Sequence, residues 1–193
     1  MPAVTNLLPK QAAGHVHTPH GLIFWGLFTL PVNHNHAQHQ KAVRAFAWHW
    51  LQQDCAGQTV PADAISWPPP AMPALEPHWW LSWSYLRAPS SASHVLLAAA
   101  PFPVGCDICA AQMLPLSDWQ SILREYGGAS FVANTPEQCA QNWCQLEATD
   151  KSLRVGLQPW STSAVHLRAK VVQQALVLPF SGIKATIAWH NYK

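Results

Sequence analysis

The chain has 193 residues, 49% of them hydrophobic and only 10% charged, with a net charge of +2 when its 11 histidines are neutral. That length and apolar content suffice for one domain or two small fused halves with a packed core, and they exclude a disordered chain. The few Lys and Arg are scattered, without the basic stripe of a nucleic-acid binder, and no apolar run approaches the roughly 20 residues of a membrane span.

Five cysteines form an odd set, which fits reduced thiols better than a disulfide framework. Lys10 is followed by a polar, His-rich stretch rather than the apolar core of a secretory signal. The expectation is a cytoplasmic protein that engages neither nucleic acid nor membrane. Eleven Trp and 17 Pro, with no internal repeat, point to bulky core filling and stiff turns.

In chain order, Gly21 to Leu30 reads as a buried strand closed by Pro31. Ala42, Val43, Phe46, Ala47, Trp50 and Leu51 form one stripe of an amphipathic helix over about 37–51, with Lys41, Arg44 and His49 largely off it. Asn33 or Asn35 would cap its start. The Pro- and Ala-rich segment from Cys55 to Pro77 reads as a surface connection, partly polyproline II. Trp79 to Leu86 and His94 to Ala100 read as two strands, and Val104 to Ile108 as a third. Ser117 is expected to cap a short helix ended by Gly127-Gly128. Thr135-Pro136-Glu137-Gln138 is a stronger start, with a capping-box Thr and Gln around a Pro at the first helical position, for a helix running to about Leu153. Three further strands are expected near Ala164 to Leu167, Val171 to Leu178 and Ile183 to Trp189, the last two joined by a turn at Pro179 to Gly182. The class is α+β, with an N-terminal half over 1–100 and a C-terminal half over 101–193.

Trp143, Glu147 and Lys151 recur every four residues and so share a helix face. An acid and a base at that spacing are by themselves an ordinary surface ion pair. Their company is unusual: Glu147 lies beside Trp143, Cys144 and Ala148, and Asp107 follows a Val-Gly-Cys strand with few other charges nearby.

Val104-Gly105-Cys106-Asp107-Ile108 and Trp143-Cys144-Gln145-Leu146-Glu147-Ala148-Thr149-Asp150-Lys151 together resemble the two-part signature of the 4′-phosphopantetheinyl transferases of the longer, surfactin-synthetase-activating type. The continuation from Lys151 to Gly156-Leu157 and the upstream His78-Trp79-Trp80-Leu81-Ser82-Trp83-Ser84 are similar to that family in order and spacing, so the likeness covers most of the chain from Gly21 onward. The resemblance implies a pseudo-twofold pair of α+β halves with a coenzyme A cleft between them. It implies transfer of phosphopantetheine from coenzyme A to a serine of an acyl or peptidyl carrier protein, serving fatty-acid, polyketide or peptide assembly. Asp107 and Glu147 would ligate Mg²⁺, because Mg²⁺ prefers hard oxygens and substrate phosphates. Glu147 would accept the serine proton, directly or through a water, and Lys151 would steady the phosphates and the leaving 3′,5′-ADP. Ser82, Trp83 and Ser84 would lie near the 3′-phosphate and adenine.

Four positions depart from the family pattern. Cys109 replaces a second acid, and strand alternation places it on the face of Asp107, pointing into the site. Leu146 replaces a Lys, Trp83 replaces a His, and Glu76-Pro77 stand where a basic residue is usual. Trp83 would stack on adenine instead of pairing with phosphate, and Arg44, Arg87 or Lys41 would compensate for the missing cation. These departures motivate the alternative, an impaired homologue that binds a carrier protein as an accessory subunit.

Cys106-x-x-Cys109, with Cys139 and Cys144, suggests zinc, but a strand puts Cys106 and Cys109 on opposite faces, against a shared tetrahedral site. Ser82 and Ser84 lie outside any Gly-x-Ser-x-Gly elbow, and the histidines show no helical i,i+4 pair followed by an acid.

Overall fold

The computed structural model describes residues 9–30, 38, 40, 42, 43, 46, 47, 50, 51, 79–86, 93–129 and 131–191. Lys10–Thr18 (β1) and Gly21–Thr29 (β2) pair antiparallel around a tight turn at Pro19-His20. β2 pairs with His94–Ala100 (β4), and β4 with Trp80–Leu86 (β3), giving a four-stranded sheet in the order β1-β2-β4-β3. A second, three-stranded antiparallel sheet runs Val104–Ala110 (β5), Ile183–His190 (β7), Val171–Leu176 (β6). Every described residue between 38 and 51 is helical (α1). Leu116–Gly127 (α2), Pro136–Ser152 (α3) and Thr162–Arg168 (α4) follow, with a 3₁₀ turn at Ala111–Met113. The architecture is mixed α+β with two antiparallel sheets. Among the described residues no helix is long and apolar enough to cross a membrane.

Apolar patterning sorts these elements into layers. The α1 stripe of Val43, Phe46, Ala47, Trp50 and Leu51 packs with Phe28, Val95 and Leu97 on one face of the first sheet. Side chains of that size each contribute about 1.5–3 kcal/mol when fully buried. The other face, with Ile23, Leu27, Leu96 and Ala98, meets Cys106, Ile108 and Ile187 of the second sheet. The far face of the second sheet carries α2 and α3 over Cys109, Trp119, Leu123, Cys144 and Leu146. Cys106 and Cys109 therefore sit in different cores on opposite faces of β5, as alternation requires.

Three local expectations need correction. β1 is a strand where the sequence suggested only a polar, His-rich stretch: of KQAAGHVHT only Val16 is buried, so this edge strand has almost no apolar signal. Ala164 to Leu167 belong to α4, whose start is capped by the Ser161 hydroxyl accepting from the Ala164 N–H at 3.1 Å. Ser117 does not cap α2; the helix starts at Leu116 after Pro115, and the Ser117 hydroxyl instead donates to Asp118. The α3 start is as expected, with Thr135 Oγ1 accepting from the Gln138 N–H at 3.2 Å and Pro136 opening the helix. Gln138 Oε1 reaches one residue further back than a capping box, to the Asn134 N–H. The Cys55–Pro77 connection, with Lys41, Arg44, His49 and Arg87, lies outside the described residues.

Candidate active site

Closeness of β5 and α3 is the first requirement, and a glycine supplies it. A Cβ at Gly105 would overlap the Ala148 carbonyl oxygen and lie 2.6 Å from the Ser152 backbone nitrogen, so only glycine lets this helix lie so near the strand. Gln141 Nε2 donates to Thr186 Oγ1 at 2.8 Å, and Gln173 Nε2 to Thr149 Oγ1 at 2.7 Å, fixing α3 across β7 and β6. With the helix held there, residues two positions after Gly105 and one before Ala148 come together.

Those residues are Asp107 and Glu147, and Lys151 joins them. Lys151 Nζ lies 2.7 Å from Asp107 Oδ1 and 3.2 Å from Glu147 Oε2, and it donates to the Cys106 carbonyl at 3.2 Å. The Ser84 hydroxyl donates to the same Asp107 oxygen at 2.6 Å. The Ser82 hydroxyl accepts from the Cys106 N–H at 3.0 Å. β3 and β5 are edge strands of different sheets. At Cys106 the open edge of β5 is thus satisfied by side chains, Ser82 below its N–H and Lys151 at its carbonyl.

Exposure is graded across the cluster. The Asp107 side chain is 4% exposed, Glu147 27% and Lys151 31%, so the group opens outward from a buried carboxylate. Burial pushes the Glu147 carboxyl above the ordinary glutamate range and Asp107 adds to this, while Lys151 opposes it. Burial alone would lower the Lys151 ammonium, but Asp107 and then Glu147 more than reverse that and hold it firmly charged. The Cys106 thiol, fully buried, is pushed up to about 12.

Beside the cluster opens a cleft of about 210 Å³, lined by Trp80, Ser82, Trp83, Val104, Lys151 and Arg154 among others. Five of the expected site residues therefore adjoin one another: Asp107, Glu147, Lys151, Ser82 and Ser84. Trp83 does not join them by its side chain. It is on the opposite face of β3 from Ser82 and Ser84, packed against the α1 core. The indole on the serine face is Trp80, and the Arg154 guanidinium stacks over it, 3.1 Å from the ring centroid. Neither Trp80 nor Arg154 was singled out from sequence, although alternation from Ser82 would have found the first. Arg44 lies outside the described residues.

Cys109 shares the Asp107 face but does not line the cleft. Its sulfur meets Cys144 Sγ at 3.3 Å and donates to the Ala140 carbonyl at 3.3 Å, beneath α3. Burial, then the Cys109 contact and the Asp107 charge, raise the Cys144 thiol well above its ordinary range. Leu146 is core, 2% exposed among Trp119 and Leu123.

Among the described residues no three His, Cys, Asp or Glu side chains are grouped to hold a metal ion. The oxygen donors that do converge are two carboxylates, meeting at one ammonium. Such a pair fits Mg²⁺, which commonly takes one or two carboxylates and completes its shell with water and substrate phosphate. No protein-family model matches the chain, and no curated protein matches it.

Proposed function

We propose that the protein transfers the 4′-phosphopantetheine group of coenzyme A to a serine hydroxyl of an acyl or peptidyl carrier protein, with Mg²⁺ as cofactor, on a fold of two pseudo-twofold α+β halves. One observation carries this reading: Asp107 of β5, Glu147 and Lys151 of α3 and Ser84 of β3 converge beside an open cleft. The order of these residues in the chain is the order the family resemblance requires.

In the proposed reaction the serine oxygen forms a bond to the phosphorus bearing pantetheine, and the pyrophosphate P–O bond breaks. The serine proton passes to Glu147, directly or through a water, and 3′,5′-ADP leaves. The upward displacement of the Glu147 carboxyl brings it nearer to the range in which a group both holds and gives up a proton at neutral pH. Lys151, kept charged by its two acids, meets the charge that builds on the departing phosphate. Ser84 and Lys151 orient Asp107 by bonding one of its oxygens. Mg²⁺ held by Asp107 and Glu147 would neutralise the pyrophosphate oxygens. Catalysis of this kind is positioning and electrostatics, with no covalent enzyme intermediate.

The test is to incubate the protein with coenzyme A, Mg²⁺ and apo-carriers of the fatty-acid, polyketide and peptide types, and weigh each carrier intact. A mass gain equal to one phosphopantetheine is expected on at least one; no gain on any cognate carrier sinks the enzymatic reading. A second reading, an accessory subunit that docks a carrier without modifying it, draws on Cys109, whose sulfur points under α3 rather than into the cleft. That reading gains if a carrier binds stoichiometrically and stays unmodified.

A further inference from the structure

β1 buries only Val16, and the face it turns to solvent carries two imidazoles. His15 and His17 are both exposed, and strand alternation puts residues at this spacing on the same face. Their ring centroids lie 5.0 Å apart, edge to face. β1 is the outer strand of its sheet, and the residues opposite the pair on β2 are Leu22 and Phe24, so no cross-strand acid or base engages either ring. Neither imidazole has a hydrogen-bond partner among the described residues.

That spacing matches a chelate. Two imidazoles on one ion, with metal–nitrogen bonds of about 2 Å set about 90–110° apart, hold their ring centroids about 4.5–5 Å from each other. The strand backbone already sets both Cβ atoms on one side, so rotation about side-chain bonds is enough to turn a nitrogen of each ring toward a shared ion. Beside His15 opens a cavity of about 320 Å³, lined by Ala13, Phe24 and Trp50 among others. It gives room for the water or small ligand that two protein donors leave to complete the shell. β3, which bonds to Asp107 through Ser84, is the opposite edge of the same sheet, so the histidine pair stands apart from the acidic cluster.

We infer that His15 and His17 form a two-histidine site for a borderline divalent transition ion of the Ni²⁺, Cu²⁺ or Zn²⁺ class. Imidazole suits these ions, whereas carboxylates suit Mg²⁺, so the pair and the Asp107–Glu147 carboxylates would sort metals by donor chemistry. The histidine site is independent of the transferase reading and stands or falls without it.

The test reads the two rings directly. The full chain, in excess Mg²⁺, is titrated with Ni²⁺, which spares the free cysteines the oxidation that Cu²⁺ would bring. It is then pulsed with diethyl pyrocarbonate, and modification of His15 and of His17 is read separately by fragment mass spectrometry. In wild type both rings should become protected with one common midpoint. His17→Gln should move the His15 midpoint, and His15→Gln the His17 midpoint, to about tenfold higher Ni²⁺ or more, because a chelate of two donors becomes a single one. Both side chains are exposed, so neither variant should lose melting temperature. No protection in wild type, or protection of one ring at an unmoved midpoint when the other is replaced, reduces the pair to separate surface histidines and overturns the site.

Discussion

α3 carries two acids that each meet a cation, and they are built differently. Asp150, 2% exposed, accepts from Arg168 Nε at 2.8 Å and Nη2 at 2.6 Å and from the Gln158 N–H at 3.0 Å. Arg168 spends two further donors on the Tyr126 and Gln158 carbonyls, both at 2.7 Å. This is a closed, forked pair that ties α3 to α2 and α4. In the Asp107 cluster one lysine is shared between two carboxylates, and the members grade from buried to a third exposed. A point-charge ammonium with rotatable donors can change partners where a locked guanidinium cannot. The difference separates an ion pair that holds a fold from one poised to exchange its contacts with a ligand.

The sharpest way to break that contrast is Glu147→Gln. The transfer rate should fall by about 10²–10⁴-fold, the usual range for removing a general base. Thermal melting at neutral pH should be no lower than wild type. A carboxyl raised above its unfolded value favours the protonated form in the fold, so its stabilising contribution is present at low pH and lost as pH rises through the raised value. The uncharged amide escapes that loss. By the same displacement, the acidic limb of the wild-type kcat/KM profile should lie above the ordinary glutamate range.

Asp150→Asn should show the reverse pattern. It leaves the half-buried Arg168 charge without its carboxylate partner and should cost about 3 kcal/mol in urea unfolding, the low end for a broken buried pair. The transfer rate of the fraction that remains folded should stay near wild type. Loss of transfer without loss of stability would abolish the distinction drawn between the two acids. Gly105→Ala tests both regions at once, because a methyl there must push α3 off β5. A cost of about 1–3 kcal/mol is expected, together with weaker Mg²⁺-dependent transfer as Asp107 and Glu147 part. The smallest effect should come from Thr135→Ala, which removes the α3 cap one end away from the cluster. It should lower stability by about 1 kcal/mol and leave KM for coenzyme A unchanged.

The long, strongly patterned elements are legible in the sequence alone. β2 and β4 are near-continuous apolar runs, β3 and β5 are apolar runs broken by Ser82, Ser84 and Asp107, and α3 announces itself through Thr135, Pro136 and Gln138. β1 was not readable because an edge strand with one buried residue has no period to detect. α4 was misread because Ala164, Val165 and Leu167 form a short run that fits either state, and the deciding Ser161 cap lies outside it. Within the site, Asp107, Glu147 and Lys151 follow from spacing and resemblance, and Ser82 and Ser84 from their segment. Ser84 as a donor to Asp107 joins residues 23 apart in sequence, on strands of different sheets, and no local pattern encodes that. Arg154 was hidden for another reason: its position depends on a left-handed backbone that ordinarily signals glycine.

The β3 serines have a consequence for how the molecule can be divided. Asp107 belongs to the C-terminal sheet, but one of the donors holding it comes from a strand of the N-terminal sheet, two residues past the serine that closes the β5 edge. A fragment with β5 and α3 alone would keep both acids and the lysine while losing the orientation of the first acid. The Asp107 cluster is therefore a property of the joint and not of either sheet, and on the proposed reading any event that parts the sheets would silence transfer before the protein unfolds.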